Sequence, residues 1–316
     1  MDKVYDGTKD AQTLLNQLVL DFMKEQKRKR RFRWAIRFII LGVVLFSLYG
    51  FYQNIAEETV SKNKPHVGLI DVNGEIGQDD VVNADDFTKS LDTAFKNSNM
   101  KAIVIRVNSP GGSPVQADYI YNQIRYYRAK NKEVPVYAVC MDICASAAYY
   151  IAAAADEIYA NPSSMVGSIG VLYNGFGFVD SLQKLGVTRR LYTAGKNKGF
   201  LDPFSPVDPS QVPLLQAMLD QVHNTFITKV KEGRGSKLVN NQEIFSGLIW
   251  TGIEAKNLGL IDGFASAGQL MRDKLKIEQA IDYTYKRSVF ERMSKNINTL
   301  APNVEKYLSY GAGRLK

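Results

Sequence analysis

The stretch Ala145-Ser146-Ala147-Ala148-Tyr149-Tyr150-Ile151 follows the apolar run Val136-Tyr137-Ala138-Val139-Cys140 and opens an alanine-rich segment. The run reads as a buried strand, and the alanines as a helix reaching about Ala155. A serine at such a junction has its hydroxyl at the mouth of the sheet, beside helix N–H groups that lack intrahelical partners. Those N–H groups can hold an oxyanion, so the position suits a nucleophile. It equally suits a helix N-cap, for which serine is a preferred residue. The local residues leave both readings open.

A nucleophilic serine needs a base. The sequence holds only two histidines. His66 stands where the chain enters its first strand, and His223 falls within a long amphipathic helix. Neither occupies a loop at the C-terminal side of a strand, as a Ser-His-Asp arrangement would require. A neutral lysine can replace histidine. Free lysine titrates near ~10.4 and a useful base needs about 7–8, so roughly 4 kcal/mol must come from burial away from water and counter-ions. In the loop Ala194-Gly-Lys-Asn-Lys-Gly-Phe-Leu-Asp-Pro-Phe204, Lys196 and Lys198 are flanked by glycines and aromatics. A surface loop with solvated lysines accounts for the same residues. The turn Pro110-Gly111-Gly112 lies just beyond another strand, where α/β folds place ligands, and adjacent glycines let backbone N–H groups approach closely. Cys140 and Cys144, the only cysteines, read as small buried residues, with a disulfide possible only if a turn brings them close. No metal set is expected, because neither histidine is near them in sequence.

The elements that would position these residues alternate. Strands are expected at 66–72, 101–107, 136–140, 157–160, 168–171 and 187–192. Helices are expected at 84–97, from Ser113 and Pro114 to about 130, at 178–185 and at 209–231. Strands alternating with helices predict an α/β domain with a largely parallel sheet.

Charge is concentrated in one place. The chain carries a net +8, and the block 24–37 holds Lys24, Lys27, Arg28, Lys29, Arg30, Arg31, Arg33 and Arg37 against Glu25 alone, a net of +7. The folded part is therefore near neutral, and no nucleic-acid partner is expected. Residues 34–52 follow as a transmembrane anchor. Nineteen helical residues span about 28 Å, close to one hydrocarbon thickness. Arg37 snorkels, and Trp34, Tyr49, Phe51 and Tyr52 supply interfacial aromatics. A cleaved signal peptide fits less well, since the apolar region begins late and no small-x-small site follows. The expected division is a leader and basic block at 1–33, the anchor at 34–52, a stem at 53–64, a catalytic domain at 65–275 and a basic tail at 276–316. The leader carries an amphipathic piece (Leu14, Leu15, Leu18, Val19, Phe22, Met23). The positive-inside rule then places residues 1–33 in the cytoplasm and the domain outside it.

The ordered set Asn108-Ser-Pro-Gly-Gly, Ala145-Ser146 before Tyr149-Tyr150, and Val166-Gly-Ser-Ile-Gly-Val171 resembles signal peptide peptidase A. The later run from Ile249 to Gly263 resembles it as well. These are membrane-anchored bacterial serine-lysine peptidases of the inner membrane with a ClpP/crotonase-like fold, and the resemblance covers roughly residues 65–275. It implies Ser146 as nucleophile. Lys198 becomes the base, set in Gly195-x-x-Lys198 with four residues intervening before Pro203-Phe204, and Lys196 becomes a neighbour. Gly111, Gly112 and the Ala147 N–H match the oxyanion site, and Ser168 matches a hydroxyl that bonds the lysine. It further implies hydrophobic peptide substrates, no metal or organic cofactor, and a homo-oligomeric ring, an octamer, whose adjacent subunits share each site.

One departure stands out. The family commonly has Ser-Gly-Gly where this chain has Ser146-Ala147-Ala148. Were positive φ required at 147, alanine would add roughly 1–2 kcal/mol of strain. An inactive scaffold of the same fold is the alternative reading, and a crotonase-type acyl-CoA enzyme is disfavoured by the anchor.

Overall fold

The computed structural model describes residues 7–287, with side chains described for 18–50 and 63–287. The chain divides into two compact units, at residues 1–63 and 64–316. The first is one uninterrupted helix, α1 (Gly7–Lys62). Residues 7–62 are thus one element, where the sequence suggested three segments at 1–33, 34–52 and 53–64. Helix propensity carries through because no Pro, and only Gly42 and Gly50, interrupt the run. Part of the amphipathic piece (Leu14 and Leu15) and the tail beyond residue 287 lie outside the residues whose side chains are described.

The second unit is an α/β fold. Its strands are β1 (His66–Asn73), β2 (Met100–Ser109), β3 (Val136–Ala145), β4 (Glu157–Ala160), β5 (Met165–Gly167), β6 (Ile249–Thr251), β7 (Gly263–Phe264) and β8 (Ala280–Asp282). The sheet runs β6-β5-β3-β2-β1-β8, with β4 joined to β3 and β7. Every pairing is parallel except β5 with β6. Helices α2 (Ala84–Phe95), α3 (Pro114–Lys130) and α4 (Ala147–Ala152) supply most of the apolar packing on one face, with β-branched side chains of β1 and β2 beneath them. A smaller cluster on the other face joins Val67, Val104 and Val139 to Leu270 and Met271. Asn83 caps α2 by accepting from the Asp86 N–H, and Ser113 caps α3 with Pro114 in its first turn.

β3 is the branching element. Its first half pairs with β4 and its second half with β5. Against β2, Cys140 stands opposite Val107 and Cys144 opposite Ser109, so β3 holds two more residues than its partner over that interval. Such a bulge bends a strand and turns it toward a new neighbour. The strand therefore runs five residues beyond the expected 136–140 and delivers Ser146 at the fork. Both cysteines are free and buried. Burial first, then a hydrogen bond to Cys140 that favours the protonated form, pushes the Cys144 thiol well up, which marks it as inert.

Three expectations are corrected. The alanine-rich helix spans only Ala147–Ala152, because β3 occupies the chain up to Ala145 and tighter turns take over at Ala154 and Ala155. The strand expected at 168–171 lies at Met165–Gly167 and stops where Ser168 adopts a φ of 51°, incompatible with extended backbone. Residues 187–192 form no strand and pair with none of the described strands, and Tyr192 is 88% exposed. The sheet also continues past residue 275: β8 pairs with β1, and the Tyr283 hydroxyl meets the buried His66 ring at 2.9 Å.

The floor under α4 is held by a buried ion pair. Arg234, closing α6 (Val212–Arg234), reaches Asp262 at 2.7 Å with 1% of its side chain exposed. Asp262 also accepts from the Ile158 N–H and pairs with Lys237. Burial raises the Asp262 carboxyl, but Arg234, Lys237 and the Ile158 N–H outweigh it and hold it below the ordinary range. The Asp262→Ala variant is expected to lose about 3–5 kcal/mol, because it strands a buried guanidinium; chemical denaturation of the purified chain measures it. A depressed folded pKa stabilises above the unfolded value, so this contribution is complete at neutral pH and drains as pH falls below about 4.

Candidate active site

Ser146 sits between β3 and α4 with φ 54° and ψ −125°, and its side chain makes no capping bond to the helix. Two backbone bonds fix it there: its N–H donates to the Gly167 carbonyl at 2.8 Å, and its carbonyl accepts from the Tyr150 N–H at 3.0 Å. A residue with a Cβ in such a region costs on the order of 1–3 kcal/mol, and such strain clusters at functional sites. The geometry is that of a strand–serine–helix elbow, which lifts the hydroxyl clear of the backbone. The N-cap reading therefore fails on geometry.

The hydroxyl opens on a cavity of about 530 Å³. Gly112, Ala147 and Ser168 line it together with Ser146, while Tyr150 and Phe226 supply an aromatic wall. Those two rings stack at 4.8 Å, and the Tyr150 hydroxyl is turned to Asp118 at 2.8 Å, so the ring is fixed. Burial first, then Asp118, raises the Tyr150 phenol far above its usual range. It stays protonated.

The glycine turn divides its labour. The Gly111 N–H donates to the buried Ser109 hydroxyl at 3.2 Å, and the Gly111 carbonyl accepts from the Ile76 N–H at 2.9 Å. Gly111 thus has its N–H engaged with Ser109 in this structure. Its service is space: an added Cβ would lie 2.8 Å from the Ser146 Cβ. Gly112, at φ 142°, has an N–H with no partner among the described residues, and an added Cβ would stand 2.1 Å from the Ile76 carbonyl. The Ala147 N–H opens a helix and has no intrahelical partner. Gly112 and Ala147 are thus the available donors.

Positive φ belongs to Ser146 and Ser168, not to Ala147. The strain that alanine would have suffered is absent. Ala147 supplies its N–H from ordinary helical backbone, and Ala148 is packed in the core at 0% exposure. Ser168 holds its φ of 51° through its N–H, which donates to the Leu248 carbonyl at 2.7 Å.

Lys198 is elsewhere. It lies in an exposed turn closed by the bond of its own N–H to the Gly195 carbonyl at 3.1 Å, and it does not line the cavity. Lys196 lines a different cavity, beside Phe176 and Leu191. The turn belongs to an arm from 171 to 211 in which no residue is buried. The arm is ordered by its own contacts: Phe178 stacks on Phe204 at 5.4 Å, Arg189 covers Phe204 and pairs with Asp202, and the Phe178 N–H reaches Pro203. Sequence reasoning missed Ser109, whose place before Pro-Gly-Gly was its only signal. It also missed Phe226, which shows in sequence only as one apolar position of an amphipathic helix.

Two family models match: Peptidase family S49 over residues 128–281, and Clp protease over residues 66–166. A Brucella melitensis protein named Na(+)/H(+) antiporter NhaA is 47% identical over 192 residues, 60% of this chain and 26% of that protein. A provisionally named protease of Methanocaldococcus jannaschii is 31% identical over 224 residues, 71% of this chain and 70% of that one. A provisionally named signal peptide peptidase of Enterococcus faecium is 29% identical over 238 residues, 72% of this chain and 68% of that one. The chain thus spans about a quarter of the Brucella protein, at 26%, and about two thirds of the other two, at 70% and 68%. Together the family models run from β1 into β8, and the architecture is ClpP-like. With the sheet, the serine elbow and the glycine turn inside the matched residues, the chain belongs to peptidase family S49.

Proposed function

We propose that this chain is a membrane-anchored serine endopeptidase in which Ser146 attacks and Lys198 of a neighbouring copy acts as base. The observation that carries the reading is the elbow at Ser146. It is a strained serine whose hydroxyl is spent on no cap and faces a cavity bearing two free N–H donors. An inactive scaffold would gain nothing from that strain.

The chemistry follows from the groups present. A neutral lysine amine takes the Ser146 proton as Oγ bonds to the peptide carbonyl carbon, and the Gly112 and Ala147 N–H groups hold the oxyanion. Collapse expels the amine, which leaves with the lysine's proton. Water, deprotonated by the same lysine, then attacks the acyl-enzyme and frees Ser146. Ser168 lines the same cavity, which supports a role for its hydroxyl as hydrogen-bond partner of the lysine amine. Val171, Leu172, Val222 and Phe226 make the walls apolar, which supports hydrophobic peptides such as remnant signal peptides as substrates.

Assembly is supported by the arm. It carries the base but is buried against nothing in its own chain, with Leu172 80% and Phe176 75% exposed. Large apolar surface of that kind asks for a cover. A ring of copies, each arm reaching its neighbour's cavity, supplies both cover and base. The anchor is supported by α1, whose stretch Leu18–Gly50 is long and apolar enough to cross a membrane and has none of its surface buried by protein. Its flanking basic block supports a catalytic unit outside the cytoplasm.

The Ser146→Ala and Lys198→Ala variants are each expected to lose at least about 10⁴-fold in cleavage of a fluorogenic apolar peptide, while Lys196→Ala keeps the wild-type rate. A fluorophosphonate should label wild type and leave Ser146→Ala unlabelled; unlabelled, folded wild type would establish the scaffold instead. Mixing the two dead variants under conditions of subunit exchange should restore about a quarter of wild-type activity if each site spans two copies. No recovery would place both groups in one chain.

A further inference from the structure

His223 does not line the cavity that holds Ser146, yet it is not idle. Half-buried on α6, it donates its Nε2–H to the Ile169 carbonyl at 3.0 Å. Ile169 is fully buried and directly follows Ser168. Ser168, at φ 51°, holds a backbone conformation that costs on the order of 1–3 kcal/mol and persists only where the surroundings over-determine it.

Three hydrogen bonds do so over residues 168–170. The Ser168 N–H donates to Leu248, the Gly170 N–H donates to the Ser168 carbonyl, and His223 donates to Ile169. The first two are backbone bonds available to any side chain. The third alone comes from a side chain, and it ties the segment to α6. That helix also supplies Val222 and Phe226 to the cavity wall, so the residue beside Val222 fastens the segment that brings Ser168 and Gly170 to the same cavity. Both the neutral Nε2–H tautomer and the imidazolium keep this donor, so the fastening survives protonation.

We propose that His223 is a positioning residue: through the Ile169 carbonyl it fixes Ser168, so that the Ser168 hydroxyl faces Ser146 across the cavity. The inference rests on the reading of Ser168 as part of the peptidase site. Without the imidazole, Ile169 keeps a carbonyl short of a donor and the strained residue before it can relax. A misplacement of about 1 Å in such a group costs up to about 10²-fold in rate.

The test uses the purified full chain in detergent, with cleavage of a fluorogenic apolar peptide and thermal melting for each variant. His223→Ala is expected to lower kcat about 10- to 100-fold with KM changed less than about twofold. His223→Gln, whose side-chain amide can place a donor near the Nε2 position, should regain much of the loss. In a Ser168→Ala background, His223→Ala should add nothing, because the two act through one hydroxyl. Wild-type kcat in His223→Ala, losses that multiply in the double variant, or a His223→Gln that melts like wild type but fails to recover would each overturn the proposal. Retained cleavage in Ser146→Ala would instead overturn the reading of the site.

Discussion

The structure turns on one residue changing direction. At Ser146 the chain passes from strand to helix in a single step, with φ 54° and ψ −125°. A side chain there is uphill by roughly 1–3 kcal/mol, so neighbours must hold it. They do so from both sides. Gly167, the last residue of β5, accepts its N–H, and α4 returns the Tyr150 N–H to its carbonyl. Gly111 sits beneath it with no room for a Cβ. These supports lie 35 residues upstream and 21 downstream of Ser146, and the sheet order brings them together.

The bulge in β3 explains how the sheet can do this. By carrying two residues more than β2 between Cys140 and Cys144, β3 leaves β4 and takes up β5. One strand thereby serves two neighbours, and the fork opens where the serine emerges. The fork rests on a firm base: α4 is buried along its whole length, and the Tyr149 hydroxyl is bonded to Leu260 at 2.7 Å, close to the Arg234–Asp262 pair. Strain at the site is thus offset by packing below it.

The two halves of the proposed chemistry differ in how they are held. Ser146, Gly112, Ala147 and Ser168 share one cavity at the edge of the packed core. Lys198 rides on an arm that holds itself together by a few aromatic and ionic contacts and buries nothing. A base that must lose its charge needs burial, and the isolated chain gives that lysine none. Proposing a neighbouring copy as the missing wall resolves the mismatch with one assumption.

Much was legible in the sequence, for identifiable reasons. Parallel α/β order followed from β-branched runs alternating with helical periods, and Ser113-Pro114 marked a helix start because capping is local. The serine at the strand end, the glycine pair and Ser168 were visible as residues with their motif resemblance. What local sequence could not decide was which role each plays, because φ at a junction, the destination of an N–H and the partner of an extended segment are set by non-local neighbours. Hence only the backbone geometry at Ser146 removed the N-cap reading. Of the expected donors Gly111, Gly112 and Ala147, the first has its N–H engaged by the Ser109 hydroxyl, a contact that only the folded turn reveals. The strand expected at 187–192 stayed unpaired for the same reason: propensity makes a segment extended, but only another strand beside it makes it a strand.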